Sequence, residues 1–167
     1  MAVKEHGNWR SFRHRNYRIL FPANAASNIG TWAQRVAQDW LILQLTDNSG
    51  TYLGLVTAVQ FAPVLFFSLH GGALADRVNK RKLLIFTNFV GGLSSLGLGL
   101  LVLAGNVKIW HVFFFALTLG IASALDAPIR QSFTSEIVGH SDIANAVSLN
   151  SANFNAGRLV GPALSGF

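Results

Sequence analysis

The feature that most constrains this chain is a series of long apolar stretches separated by short polar segments. Four stretches, at residues 20–45, 52–74, 83–104 and 109–127, reach membrane length, and a fifth begins near residue 143 and continues to residue 167. A helix needs about 20 apolar residues to cross a hydrocarbon core about 30 Å thick. No stretch requires a strand. The sequence therefore predicts an all-α membrane protein with about five transmembrane helices.

The composition agrees with this class and excludes several others. Hydrophobic residues make up 51% of the 167 positions and charged residues 12%, whereas about a quarter of a soluble domain is charged. The chain contains no Cys, which rules out disulfides and thiolate metal sites. The basic residues lie between apolar stretches rather than on one face with aromatics, so nucleic acid is not an expected partner. We find no enzyme signature, metal-ligand spacing or phosphate-binding loop, so we expect no enzyme activity, no metal and no bound cofactor.

The distribution of Lys and Arg predicts the orientation in the membrane. These residues concentrate in the leader at 1–19, in the segment between the second and third stretches, and at Arg130, whereas only Lys108 lies in a segment on the opposite side. Short segments rich in Lys and Arg face the cytoplasm. We therefore expect residues 1–19 to form a basic, amphipathic cytoplasmic leader and residues 20–167 to carry the helices of a protein integral to the cytoplasmic (inner or plasma) membrane.

The segment "GGALADRVNKRKLL" at residues 71–84 places one acid before four bases. The simpler interpretation is that the bases only set the orientation of the neighbouring helices. Asp76 argues for a further role, because an acid contributes little to orientation and is costly at a membrane boundary. Asn79 is one of the few residue types other than Gly that tolerate a left-handed conformation, so we expect it to form the turn.

Two motifs carry a resemblance to a known family. The string "GALADRVNKRK" at residues 72–82 resembles G-x-x-x-D-R-x-G-R-R/K, the signature loop between helices two and three of the major facilitator superfamily, and departs from it at Asn79 and Lys80. The string "GRLVGPALSG" at residues 157–166 resembles G-x-x-x-G-P-x-x-G-G, the helix-five motif of its drug/H⁺ antiporters, with Ser165 as the departure. The matching motif positions are Gly157, Gly161, Pro162 and Gly166.

The wider pattern of the first, fourth and fifth stretches resembles the efflux subgroup that includes the enterobactin exporter. Proteins of this superfamily have two six-helix halves and hold substrate between them near the midplane. The resemblance implies a secondary active transporter that exports amphipathic small molecules, such as drugs or siderophores, by alternating access. Its energy source would be the proton gradient. The chain then corresponds to an N-terminal part of the fold, whose partners are the substrate, the bilayer and the missing C-terminal helices. The alternative is a non-transporting membrane fragment or interaction protein.

The resemblance also implies a cytoplasmic gate. Its residues are Gly72, Asp76, Arg77, Lys80, Arg81 and Asp126. Asp126 closes the fourth stretch at the cytoplasmic edge, where an acid of the family pattern pairs with a base of the loop. We expect that base to be Lys80 or Arg81.

A polar stripe in the first stretch predicts a cavity wall. The stripe consists of Asn24, Asn28, Thr31, Arg35 and Gln38, spaced 4, 3, 4 and 3 residues apart, with Asp39 one turn after Arg35. This spacing puts the five side chains on one helical face. One interpretation is an Arg35–Asp39 pair that only neutralises itself; the other is a substrate and proton site. Arg158 belongs either to this cavity or to hydrogen bonding between helices.

Overall fold

Apolar runs of this length form helices in a membrane because only a helix satisfies its own backbone hydrogen bonds. The computed structural model describes residues 9–68 and 79–165, and these residues contain a short 3₁₀ helix and five α-helices, with no strand among them. The 3₁₀ helix is Arg10–Arg13, and the α-helices are α1 (Arg15–Leu45), α2 (Gly50–Ser68), α3 (Lys80–Leu103), α4 (Ile109–Val138) and α5 (Ile143–Ser165). The expectation of an all-α fold with five long helices is confirmed.

Three of the described helices, α2, α3 and α4, are long and apolar enough by themselves to cross a membrane. With 31 and 23 residues, α1 and α5 also exceed the length of a span, but they carry more polar side chains. A polar helix in a bilayer needs neighbours that cover its polar face. α1 and α5 pack against each other more extensively than any other pair of helices.

The fourth helix is longer than the sequence predicted. We expected it to end near residue 127 and residues 128–142 to form a polar loop, and this expectation is wrong, because α4 continues through Pro128 to Val138. Proline is tolerated inside membrane helices when neighbouring groups satisfy the freed backbone. Thr134 donates a hydrogen bond to the carbonyl of Arg130 within this continuation. The helix ends at Val138, and the residue that follows it, Gly139, has a φ of 69°, a conformation that favours glycine.

The beginning of α3 also differs from expectation. Asn79 has φ −70° rather than a left-handed conformation, and its side chain accepts a hydrogen bond from the backbone N–H of Lys82 at 3.1 Å. Asn79 therefore caps the N-terminus of α3, where an Asn side chain satisfies a free N–H group. Gly72, Asp76 and Arg77 of the loop motif, and Gly166 of the helix-five motif, lie outside the described residues.

Buried apolar side chains pack together in a cluster near each end of the bundle. Ile42, Val56, Val112 and Ala116 form one cluster, and Tyr17, Val138 and Ala146 form the other. The described part of the leader packs on the second cluster through Phe12. Ser11 donates its hydroxyl to Asn145 at 2.8 Å, and His14 contacts Asp142 at 3.1 Å. The 3₁₀ helix and the start of α1 are thereby attached to the start of α5.

Candidate transport site

The helices surround a cavity of about 1060 Å³, to which all five contribute lining residues. α1 supplies much of the polar lining, namely Asn24, Ser27, Asn28, Thr31, Gln34 and Arg35. Apolar side chains, including Trp32, Val64, Leu119 and Phe154, line other parts. Polar groups recur at steps of three and four residues along α1 because that spacing keeps them on one face of a helix. The cavity is thus amphipathic.

The structure divides the predicted stripe between two environments. Asn24, Asn28, Thr31 and Arg35 line the cavity. Gln38 is fully buried and accepts a hydrogen bond from Gln60 of α2 at 3.1 Å. This bond satisfies the carbonyl oxygen of Gln38, which would otherwise be costly in an apolar interior, while the buried Nε2 atom of Gln38 has no hydrogen-bond partner among the described residues. Gln38 therefore joins α1 to α2.

Arg35 and Asp39 do not form the ion pair considered from the sequence. The guanidinium carbon of Arg35 lies instead 5.0 Å from the ring centre of Trp32 and 4.8 Å from that of Phe61, within the range of cation–π contacts. The Nε atom of Arg35 and the Oδ1 atom of Asp39 are buried, and neither has a hydrogen-bond partner within residues 9–68 and 79–165. Two ionisable groups are thus held in α1 without neutralising each other by direct contact.

Arg158 lies on α5 and approaches the same indole. Its guanidinium carbon is 5.5 Å from the ring centre of Trp32. The ring of Phe154 meets Trp32 edge to face, with centres 5.7 Å apart. We call Trp32, Arg35, Phe61, Phe154 and Arg158 the arginine–aromatic cluster. It brings together side chains of α1, α2 and α5.

Asp126 lies at the centre of a second polar group, which lines the cavity. Its carboxylate pairs with Arg130 at 2.5 Å and accepts hydrogen bonds from Thr87 at 2.9 Å and Asn88 at 3.2 Å. Arg130 also donates a hydrogen bond to Asn24. This network joins α4 to α3 and α1.

The partner expected for Asp126 is wrong. Lys80 pairs with Glu136 of α4, and Asp126 pairs with Arg130 one helical turn further along its own helix. The reason is the continuation of α4, which places Arg130 and Glu136 on a helix instead of in a loop. Arg81 is exposed in the first turn of α3.

Sequence reasoning overlooked several of these residues. Arg130 enters the sequence analysis only through the predicted orientation, although its position four residues after Asp126 also indicates a helical ion pair. Trp32 and Phe61 gave no signal beyond being aromatic residues in apolar stretches. Only the packing of α1 against α2 brings Phe61 to Arg35.

Two glycines of the helix-five motif set the approach of α5 to α1. A Cβ atom at Gly157 would lie 2.9 Å from the Cβ atom of Asn28, and one at Gly161 would lie 2.7 Å from that of Trp32. Real side chains essentially never approach so closely, so glycine is needed at both positions. Pro162 follows inside α5 and is partly buried. The two glycines therefore help to position two residues of the cavity lining.

An all-helical bundle that contains several helices of membrane length defines the class of integral membrane proteins. The family comparison is more specific. Residues 6–167 match the model of the transmembrane secretion effector family of the major facilitator superfamily. The chain therefore belongs to that family.

Individual relatives are transporters of small molecules. The chain is 30% identical to the staphyloferrin A transporter of Staphylococcus aureus, over 89% of this chain and 38% of that protein. It is 28% identical to the multidrug efflux pump Tap of Mycolicibacterium fortuitum, over 89% and 37%. It is 22% identical to the enterobactin exporter EntS of Shigella flexneri, over 92% and 37%. The chain thus spans a little over a third of the length of these relatives. No solved structure matched it significantly.

Proposed function

We propose that the chain forms part of a secondary active transporter that exports amphipathic small molecules, such as drugs or siderophores, by alternating access. The observation that carries this proposal is the cavity of about 1060 Å³ among helices of membrane length. Pockets for small molecules measure roughly 300–1,000 Å³, so the cavity suits a drug-sized compound. Its lining combines the polar face of α1 with aromatic and aliphatic side chains, which matches a substrate with polar and apolar parts.

The multidrug efflux pump and the enterobactin exporter among the relatives support export, and together with the staphyloferrin A transporter they suggest siderophores or drugs as the substrate class. Because the chain spans little more than a third of each relative, we propose that further helices of the same protein complete the cavity. The excess of Lys and Arg in the leader supports a cytoplasmic N-terminus in the inner or plasma membrane.

The proposed gate lies at the end of the bundle that carries the loop between α2 and α3. Its residues are Gly72, Asp76, Arg77, Lys80, Arg81 and Asp126. Two contacts support this role: Lys80 with Glu136 joins α3 to α4, and Asp126 bonds to side chains of α3 while pairing with Arg130. Helices joined in this way cannot separate without breaking charged contacts. A substrate-driven rearrangement would have to open these contacts.

Asp39 is the proposed proton carrier. It lies in α1 one turn from Arg35, and its Oδ1 atom is buried with no hydrogen-bond partner in the described part of the chain. An arginine keeps its charge under all relevant conditions, whereas a carboxylate can gain and lose a proton. Proton entry through the protein would then drive export, with no bound cofactor.

The test uses the protein expressed from its complete reading frame and reconstituted in proteoliposomes. We expect transport of amphipathic dyes that depends on an imposed proton gradient and stops when an uncoupler is added. Asp39→Asn should abolish proton-driven transport, whereas the matched control Asp47→Asn, in the exposed turn after α1, should retain it.

Persisting proton-driven transport in folded Asp39→Asn protein would contradict the role of Asp39. Dependence on another ion would contradict proton coupling. Absence of any transport by folded protein would favour the alternative of a non-transporting membrane protein. Fewer than about seven further hydrophobic segments in the downstream coding sequence would favour it as well.

A further inference from the structure

One charged side chain in the described lining of the cavity has no partner of opposite charge. The described part of the lining contains three ionisable side chains, Arg35, Asp126 and Arg130. Asp126 and Arg130 neutralise each other as an ion pair. Arg35 makes no ion pair with a described residue, and its Nε atom is buried without a hydrogen-bond partner there. The described lining therefore carries a net positive charge, which lies at Arg35.

Two aromatic rings hold the guanidinium of Arg35 in place, and among residues 9–68 and 79–165 its Nε atom has no hydrogen-bond partner. The rings of Trp32 and Phe61 contact it from centroid distances of 5.0 and 4.8 Å. Cation–π contact stabilises the charge but does not satisfy N–H groups, which remain able to donate to a ligand. A planar guanidinium fixed in this way is suited to the two oxygens of a carboxylate.

Arg158 adds a second positive charge to the same cluster. Its guanidinium lies 5.5 Å from the ring centre of Trp32, and the residue is exposed. The nearby acid is Asp39, which follows Arg35 by one helical turn but makes no ion pair with it. Two arginines and one acid leave the cluster with an excess of positive charge even when Asp39 is ionised.

We propose that the arginine–aromatic cluster is an anion subsite and that the transported molecule is an amphipathic carboxylate or a similar oxyanion. Arg35 binds the acidic group, Arg158 increases the positive field, and Trp32 with Phe154 contacts the apolar part. This inference rests on the proposed transport function and names the substrate class of the same cavity.

The test compares three probes that share one fluorophore and differ in charge. Dansylglycine carries a carboxylate, dansylglycinamide is neutral, and dansylcadaverine is a cation. Dissociation constants are measured from dansyl fluorescence at neutral pH on the protein of the complete reading frame, in nanodiscs of phosphatidylcholine. We expect dansylglycine to bind at least about tenfold more tightly than the amide, because hydrogen bonds between charged groups are roughly twice as strong as neutral ones.

Variants locate the source of this preference. Arg35→Gln should reduce the ratio of carboxylate to amide affinity to about one, and Arg35→Lys should retain part of it because Lys keeps the charge but loses the planar fork. Arg18→Gln, the same substitution on an exposed arginine of α1 outside the cavity lining, should keep the ratio of the unmodified protein. If Arg35→Gln does not fold, Arg158→Gln changes an exposed residue and should lower the ratio by about threefold.

Several results would overturn the proposal: no saturable binding of dansylglycine, equal binding of the three probes, preference for the cation, or an unchanged ratio in both Arg35→Gln and Arg158→Gln. Anionic lipid is the other source of an oxyanion in a membrane. Competition when phosphatidylglycerol is added to the nanodiscs would assign the site to lipid and overturn the substrate assignment; unchanged binding supports it. Transport of dyes is scored separately, so failure of export is distinguishable from failure of the charge preference.

Discussion

Substitution of Gly161 by Ala tests whether the close approach of α5 to α1 supports the cavity. A Cβ atom at this position would lie 2.7 Å from the Cβ atom of Trp32 and 2.8 Å from both the backbone nitrogen of Ala33 and the carbonyl oxygen of Ile29. Two of these three atoms belong to the backbone of α1, which cannot rotate away as a side chain can. The added methyl group therefore has to push the helices apart or bend one of them.

Two effects of opposite sign determine the size of the change. Ala is favoured over Gly inside a helix by about 1 kcal/mol, while overpacking of a well-packed interface costs typically about 1–3 kcal/mol. Gly99→Ala is the matched control, since a Cβ atom at Gly99 of α3 would meet nothing within 4 Å. Gly99→Ala therefore gains the higher helix propensity of Ala without the steric clash. The free energy of unfolding should therefore be lower in Gly161→Ala than in Gly99→Ala by about 1–3 kcal/mol.

The measurement is unfolding of the protein of the complete reading frame in mixed micelles, followed by circular dichroism as denaturing detergent is added. Displacement of Trp32 should also change its fluorescence in Gly161→Ala and leave it unchanged in Gly99→Ala. Equal unfolding free energies for the two variants, with the same tryptophan fluorescence, would refute the argument that glycine is required for this contact.

The remaining predictions concern the ion pair of Asp126 with Arg130 and the buried hydroxyl of Tyr17. Asp126→Asn should lower the free energy of unfolding by about 1.5–3 kcal/mol, which is the contribution of a hydrogen bond to a charged group. The double variant Asp126→Asn with Arg130→Gln should recover part of this loss in the same unfolding assay. If it recovers none, the ion pair is contradicted. Burial raises the pKa of Tyr17 from its ordinary value near 10 to about 12. The folded protein thus retains the phenolic proton where the unfolded chain has lost it, so Tyr17 stabilises fully below about pH 10 and this stability declines as pH rises toward about 12. Tyr17→Phe should remove that decline from the pH profile of unfolding, and an identical profile would contradict it.

Part of the candidate site was predictable from sequence because helical geometry is local. The spacing of Asn24, Asn28, Thr31 and Arg35 put them on one face of α1, and the structure brings them to one cavity. The ion pair of Asp126 with Arg130 follows from the same rule, but the sequence predicts that the fourth stretch ends at residue 127, which would separate the two residues. Inside a membrane bundle a proline does not have to end a helix, because neighbouring groups can satisfy the backbone that it frees.

Apolar length and the motifs by themselves determined the class of this protein: helices that cross a membrane, their number and the superfamily. Those properties depend on the exclusion of water from a hydrocarbon layer, which acts on each helix separately. The tertiary structure alone decided which groups meet across helices. Arg35 stacks on the rings of Trp32 and Phe61 instead of pairing with Asp39. Lys80 pairs with Glu136 rather than with Asp126. Contacts between helices join residues far apart in the chain, such as Lys80 with Glu136, 56 positions away, and Asn24 with Arg130, 106 positions away, so they depend on how the helices pack.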